Sequence, residues 1–182
     1  IYTGRNTLSL HDALPILYKT NKEDRNMNER INIYTNGACP GNHMSENKGG
    51  YGAIITRRGN KMLEISGGYR NTTNQRMELK ATIESLKAID PSYPVTVYSN
   101  SEYLIKGITE WMPKWIRKAK IEKNGDLWME LYHIVESFYS VEFLYAGGKD
   151  NEWSTVAARL AKRGYSNSNI PIDVKEPYSI KK

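Results

Sequence analysis

The chain has 182 residues, of which 39% are hydrophobic, with four Trp and thirteen Tyr, and this composition predicts one globular domain with a full-sized core. Lys and Arg exceed Asp and Glu by 26 to 20, and the net charge of +6 favours an anionic partner such as nucleic acid over a solvated basic surface. One cysteine excludes an internal disulfide and a thiolate zinc module, which fits a reducing, cytoplasmic setting. No apolar stretch is long enough for a membrane span, so we expect no membrane segment. We also expect a monomer.

Residues 1–26 are predicted to be an N-terminal extension outside the core, because Pro15 breaks a short apolar pattern and a polar run follows it. His11 and Asp12 also interrupt that pattern, which argues against a signal peptide. Residues 6–16 resemble translated adapter read-through, so a cloning or assembly artefact is one interpretation, with Met27 as the native start.

The predicted domain covers residues 27–165 and begins with three strands. Apolar residues alternate with polar ones from Ile31, a Gly- and Asn-rich loop covers residues 37–50, and a second strand follows from Tyr51. Gly59 and Asn60 form a turn into a third strand, residues 62–69. Short connections predict that these three strands are antiparallel.

The period then alternates between helix and strand. The pattern predicts a helix from about Asn74 that ends before Pro91, then a strand (95–98), a helix (127–138), a strand (141–145) and a closing helix (153–164). With one more helix before residue 127, the order is βββαβααβα, which predicts an α/β fold with a five-stranded mixed sheet and helices on both faces. The polar, proline-containing tail, residues 166–182, is expected to be peripheral.

Four short segments in this order of elements resemble the type I ribonuclease H family. They are Tyr-Thr-Asn-Gly-Ala-Cys (34–39), Gly-Tyr-Gly-Ala (50–53), Thr-Thr-Asn-Gln-Arg-Met-Glu-Leu (72–79) and Tyr-Ser-Asn-Ser (98–101). The resemblance covers about residues 31–164. It implies a ribonuclease H-like fold and a hydrolase that cleaves the RNA strand of RNA/DNA hybrids with Mg²⁺ or Mn²⁺.

The resemblance also implies a metal site, since four carboxylates of that family bring two metal ions to the scissile phosphate. Carried onto this sequence, the first carboxylate falls on Asn36, the second on Glu78, the third on Asn100 and the fourth on Thr155. Only Glu78 remains a carboxylate. The family commonly has a histidine in the loop before the last helix, and the corresponding loop here, residues 145–150, has none.

Replacing three carboxylates predicts a catalytically inactive or strongly impaired domain, because an amide has no net charge to attract a reluctantly dehydrated Mg²⁺. The alternative is an active metal-dependent endoribonuclease. Asp150 or Glu152 could replace the fourth ligand, although carboxylates at that position are also typical of a helix start. Deamidation at Asn36-Gly37 would restore an aspartate, and the sequence leaves open whether the substitutions are natural or engineered.

Substrate contacts implied by the resemblance are better preserved. Polar groups at Cys39, Asn42, Asn74 and Gln75 would contact 2′-hydroxyls of the RNA strand in the minor groove. For Asn74, a role as the helix N-cap is equally compatible with the sequence.

A phosphate pocket for the DNA strand would map to Thr73 and Asn124. Asn71 stands where that family often has an arginine, and the neighbouring Arg70 would compensate for it.

A basic segment, residues 112–123, resembles the family's basic protrusion, and its cations would follow the DNA backbone. The predicted contacts are Lys114, Trp115, Arg117 and Lys118. We expect Trp111 to pack in the core and Trp115 to contact nucleic acid.

Overall fold

Five extended segments form one mixed sheet in the computed structural model of residues 29–147 and 151–180, and successive side chains of each strand point to opposite faces of this sheet. The strands lie side by side in the order β3-β2-β1-β4-β5. The first three strands pair antiparallel, whereas β4 pairs parallel with both β1 and β5. This arrangement confirms the predicted sheet. The strands are β1 (Ile31–Ala38), β2 (Lys48–Arg57), β3 (Asn60–Arg70), β4 (Pro94–Ser99) and β5 (Ser140–Tyr145).

Helices connect the parallel strands, as the βββαβααβα order predicts. The segment after β4 is more divided than expected, because a π-helical turn, Gly107–Trp111, separates two short helices. The helices are α1 (Asn74–Lys87), α2 (Glu102–Lys106), α3 (Met112–Lys118), α4 (Gly125–Ser137) and α5 (Glu152–Ser166).

The two faces of the sheet carry different cores. Residues of α1 and α4 pack on one face, where Ile33, Leu79, Val97 and Trp128 belong to the larger cluster of buried side chains. On the opposite face, Ala157 of α5 joins a smaller cluster with two strand residues. Helices therefore cover both faces, as expected.

Gly52 explains why α5 lies so close to the sheet. A Cβ atom at this position would lie 2.3 Å from the backbone nitrogen of Ala161 and 2.5 Å from the carbonyl oxygen of Ala157. Only a residue without a side chain allows this approach. The glycine-containing segment at residues 50–53 thus has a packing reason.

The C-terminal segment, residues 167–180, is not peripheral, in contrast to the expectation for the tail. Its backbone pairs with the end of β3, where Arg70 N donates to Pro171 O at 2.8 Å and Asp173 N donates to Arg70 O at 2.9 Å. Ile170 is buried, and Asp173 is buried against Arg76 of α1. The polar composition of the segment was misleading because this aspartate is neutralised inside the protein.

The predicted N-terminal extension, residues 1–26, lies outside the described residues. Within residues 29–147 and 151–180, no helix has the length and apolar character needed to cross a membrane.

Candidate functional site

Two asparagines meet where the neighbouring strands β1 and β4 end. The strands run parallel, with Thr35 opposite Ser99, so the residues that follow lie at the same edge of the sheet. Asn36 Nδ2 lies 3.5 Å from Asn100 Oδ1, at the outer limit of a hydrogen bond. The sequence prediction that these two positions belong to one site is consistent with this geometry.

Glu78 reaches the same edge from the first turn and a half of α1. The backbone N–H of Gly37, the residue after Asn36, donates to its carboxyl group. The approach requires glycine, because a Cβ atom at residue 37 would lie 2.4 Å from the backbone nitrogen of Glu78. Glu78 is therefore fixed beside the end of β1.

Burial gives the Glu78 carboxyl group unusual acid–base behaviour. Glu78 is 4% exposed, and its Oε2 atom has no hydrogen-bond partner among the described residues. Burial raises the pKa of Glu78 to about 8, although the Gly37 hydrogen bond opposes part of this rise. At neutral pH the group is mainly the uncharged acid, and with the two amides the site carries almost no charge.

Thr155 lies near the start of α5, on its exposed side. Its hydroxyl group donates to Asn151 O at 3.4 Å, within its own helix. Asn151 caps this helix by accepting from Trp153 N at 2.9 Å. Glu152 is exposed in the first turn, and Asp150 falls outside the described residues.

This edge of the sheet offers few carboxylates to a metal ion. Across residues 29–147 and 151–180, no group of three or more His, Cys, Asp or Glu side chains is arranged to hold a metal ion. The polar groups that meet at this edge are the amide groups of Asn36 and Asn100 and the carboxyl group of Glu78. This set can accept and donate hydrogen bonds but supplies little negative charge.

The loop after β1 and the start of α1 meet through a direct hydrogen bond. Asn42 Oδ1 accepts from the backbone N–H of Asn74 at 2.7 Å. Thr73 is the N-cap of α1, because its hydroxyl group accepts from Arg76 N at 3.3 Å, so the alternative that Asn74 is the cap is wrong. The side chains of Asn74 and Gln75 are exposed at this helix start.

Cys39 differs from the other predicted contacts because its thiol points inward. The residue is 8% exposed, its Sγ lies 3.8 Å from Thr72 O, and burial raises its pKa. Its predicted contact with a 2′-hydroxyl remains a prediction.

Asn124 is held by residues that sequence analysis did not identify. Arg76 Nη1 donates to its Oδ1 at 3.4 Å, and its Nδ2 donates to the hydroxyl group of Tyr103 at 3.1 Å. Trp128 Nε1 donates to the same hydroxyl group at 2.8 Å. Asn124 also has a left-handed backbone, with φ of 55°, which asparagine tolerates better than most residues.

The basic segment forms α3 and the turn after it. Lys114, Arg117 and Lys118 are exposed, as expected for contacts with a nucleic-acid backbone. Trp115 is only half-buried, and its ring lies 5.8 Å from Trp111 and 5.4 Å from Trp128 between centroids. Both tryptophans thus belong to one aromatic row, and a contact of Trp115 with nucleic acid would use its exposed part.

Comparison with known sequences identifies one family. The sequence profile of the RNase H family matches residues 28–166. The chain is 42% identical over 145 residues to the ribonuclease H of Caldanaerobacter subterraneus subsp. tengcongensis, covering 75% of this chain and 92% of that protein. It is 38% identical over 143 residues to the ribonuclease HI of Pseudomonas aeruginosa, covering 75% and 93%.

Solved structures show the same fold. LC9-RNase H1, described as a type 1 RNase H with the type 2 active-site motif, matches with a TM-score of 0.65 at 25% identity, covering 76% of this chain and 72% of that one. LC11-RNase H1, solved in complex with an RNA/DNA hybrid, matches with a TM-score of 0.59 at 25% identity, covering 75% and 96%.

Proposed function

The chain belongs to the RNase H family, and from this premise we propose that it is a type I member that binds RNA/DNA hybrids but does not cleave them, or cleaves them with strongly reduced activity. The observation that carries the proposal is the pair of amides, Asn36 and Asn100, 3.5 Å apart at the ends of β1 and β4. A similar structure, LC11-RNase H1, was solved with an RNA/DNA hybrid.

The donor set does not fit a two-metal site. Mg²⁺ keeps its water unless carboxylates or phosphates provide strong negative charge, and two amide carbonyls provide none. Burial raises the pKa of Glu78 to about 8 in the absence of metal, so a cation would have to displace a proton from this carboxyl group at neutral pH. Thr155 offers a hydroxyl group that is already bonded to Asn151 O. Binding of Mg²⁺ or Mn²⁺ is therefore weakened or lost in this proposal.

The surfaces that would read a hybrid are arranged more favourably. Asn42 Oδ1 accepts from the backbone N–H of Asn74, and the side chains of Asn74 and the neighbouring Gln75 are exposed. Amide groups both donate to and accept from a 2′-hydroxyl, which distinguishes RNA from DNA. Exposed cations on α3 would supply sequence-independent attraction to phosphates. We further propose that the protein acts as a cytoplasmic monomer, for which its buried single cysteine is suited.

One observation favours the alternative, an active metal-dependent endoribonuclease. Glu78 is held in place beside the end of β1, and its Oε2 lacks a partner among the described residues. A cation is one group that would satisfy this oxygen. The alternative would also require a further ligand, for which Glu152 in the first turn of α5 is the described candidate.

The deciding experiment compares the parent protein with the triple variant Asn36→Asp/Asn100→Asp/Thr155→Asp. Binding to a short RNA/DNA hybrid and to duplex DNA of the same sequence is measured in EDTA, and cleavage is measured with Mg²⁺ or Mn²⁺. We expect the parent to prefer the hybrid and to leave it intact, and the variant to cleave it. Parent cleavage at the rate of the variant would support the alternative, and equal or absent binding would contradict hybrid recognition. As a control, Glu78→Gln added to the triple variant should abolish the cleavage again.

A further inference from the structure

A cleft with two cationic residues lies between the β1–β2 loop and the C-terminal segment. It includes Arg70 and Asn71, which the family resemblance placed beside the Thr73–Asn124 pocket, but neither Thr73 nor Asn124 lines it. It has a volume of about 610 Å³. Its lining combines two cations, one acid, two amides, an aromatic ring and two apolar residues: Lys48, Arg70, Glu46, Asn47, Asn71, Tyr165, Pro40 and Ile172.

The two cations face each other across adjacent strands. Lys48 at the start of β2 is the register partner of Arg70 at the end of β3. Like charges directly opposite each other destabilise a sheet. Neither residue forms an ion pair within residues 29–147 and 151–180, so the repulsion is not relieved there, and only Glu46 brings negative charge to the lining.

Arg70 lines this cleft, and a hydrogen bond to the C-terminal segment holds its side chain in place. Its Nε donates to Ile170 O at 3.2 Å, and no hydrogen bond from Nη1 or Nη2 is present among the described residues. The family resemblance implies that Arg70 compensates for Asn71 beside the Thr73–Asn124 pocket. In the structure, the arginine that donates to Asn124 is the buried Arg76, through Nη1 at 3.4 Å.

The amides of the cleft are preorganised. Asn47 accepts from the backbone N–H of Thr72 at 3.0 Å through Oδ1 and from the N–H of Asn71 at 2.9 Å through its carbonyl oxygen. Asn71 has a left-handed backbone, with φ of 56°, and its side chain is exposed. Asparagine tolerates this conformation better than most residues, as at Asn124.

The cleft lies at the same end of the sheet as the paired asparagines. Asn36 is the register partner of Gly52 on β2, and Lys48 lies four residues before Gly52 on that strand. At about 3.3 Å per residue, the separation along β2 is about 13 Å. A few nucleotides span this distance, since one strand of a duplex rises about 3.4 Å per phosphate.

We infer that this cleft is an additional phosphate-binding site, in which Lys48 and Arg70 hold the backbone of a nucleic-acid strand that extends beyond the paired asparagines. The cations supply charge, the Asn71 amide supplies a neutral donor, and Tyr165 offers a ring against which a sugar or base packs. The inference rests on the proposed hybrid binding and extends it to a second surface.

The test compares Lys48→Gln and Arg70→Gln with Lys61→Gln, which removes the same charge at the opposite end of β3, where Lys61 pairs with Glu64. The dissociation constant for an RNA/DNA hybrid is measured over a series of KCl concentrations. Losing one phosphate contact should weaken binding several-fold and reduce the slope of log K against log salt by about 0.7–0.9. Lys61→Gln should match the parent.

Lys48→Gln is the decisive variant, because the side chain of Lys48 forms no hydrogen bond or ion pair within the described part of the chain, whereas Arg70 also donates to Ile170 O. If Lys48→Gln matched Lys61→Gln in both affinity and salt slope, the inference would be wrong while hybrid binding stood. If the parent bound no hybrid, the proposed function would fail instead. Titration of ¹⁵N-labelled protein with tripolyphosphate then tests the cleft alone. Shifts at the amides of Asn47 and Asn71 in the parent but not in Lys48→Gln would support it, and their absence would overturn it.

Discussion

Arg76 Nε donates to Asp173 Oδ2 at 2.6 Å, although the two residues are 97 positions apart in the sequence. The guanidinium group is 1% exposed and also contacts Asp126 through two further hydrogen bonds of 2.9 and 2.7 Å. Asp173 additionally accepts from Thr72 Oγ1 at 2.6 Å. This ion cluster fastens the C-terminal segment to the start of α1, where Arg76 lies two residues before Glu78.

Asp173→Asn should therefore lower the free energy of unfolding by about 3 kcal/mol, the lower end of the range for breaking a buried ion pair, because Asp126 still neutralises Arg76. Urea denaturation measures the effect. Asp90→Asn is the matched control at an exposed turn and should change stability by less than about 0.5 kcal/mol. Equal effects of the two variants would show that the buried contact does not contribute.

Glu78 should make stability depend on pH. Burial raises its pKa from the ordinary value near 4.5 to about 8, so the folded state holds the proton more tightly than the unfolded chain does. The free energy of unfolding should fall as pH rises through this interval, and the loss should be complete above about pH 8. Each pKa unit is worth about 1.4 kcal/mol, which sets an upper limit of about 5 kcal/mol.

Urea denaturation in EDTA at pH 5, 7 and 9 measures this dependence. Glu78→Gln keeps the shape of the side chain but cannot ionise, so its profile should be flatter than that of the parent. Parallel profiles of the two proteins would mean that Glu78 ionises with an ordinary pKa.

Metal ions should not stabilise the parent but should stabilise Asn36→Asp/Asn100→Asp. Two carboxylates in place of the paired amides would repel each other and attract a divalent cation. A ligand present at 100 times its Kd adds about 2.7 kcal/mol to stability. Thermal unfolding with MgCl₂, compared with NaCl at the same ionic strength, measures the difference. A parent protein whose Tm rose as much as that of the variant would possess a working metal site.

Asn36 should keep its amide despite the glycine that follows it. Deamidation requires the backbone nitrogen of Gly37 to attack the Asn36 side chain, and this nitrogen donates to the buried Glu78. Asn36 is also paired with Gly52 in the sheet, which restricts the rotation that the attack needs. Peptide mass spectrometry after storage at pH 8 measures conversion, with urea-unfolded protein as the control. Conversion at the unfolded rate would show that β1 opens readily at this end.

The strands and helices followed from local patterns in the sequence. Alternation along β1 and the apolar spacing in α4 are local signals, and local geometry determines which face of an element is buried. The proximity of Asn36 and Asn100 could also be predicted from the sequence, because strand ends in a parallel pair lie at the same edge of the sheet.

The local sequence patterns did not predict the polar contacts between distant parts of the chain. Nothing near Asp173 in the sequence indicates that its charge is buried against Arg76, and a polar tail with two prolines has the composition of a solvated one. The family resemblance likewise suggested that Arg70 compensates for Asn71 beside Asn124, whereas Arg70 Nε donates to Ile170 O and the arginine that donates to Asn124 is Arg76. Such contacts depend on how distant segments pack.

The docked C-terminal segment alters where the functional unit ends. The family profile stops at residue 166, but Tyr178 still packs on Gly125 and hydrogen-bonds with the backbone of Ile121. A protease that cut after Ser166, or a fusion partner joined there, would separate Asp173 from Arg76. A boundary drawn from family similarity would therefore remove part of the support of the helix that carries Glu78.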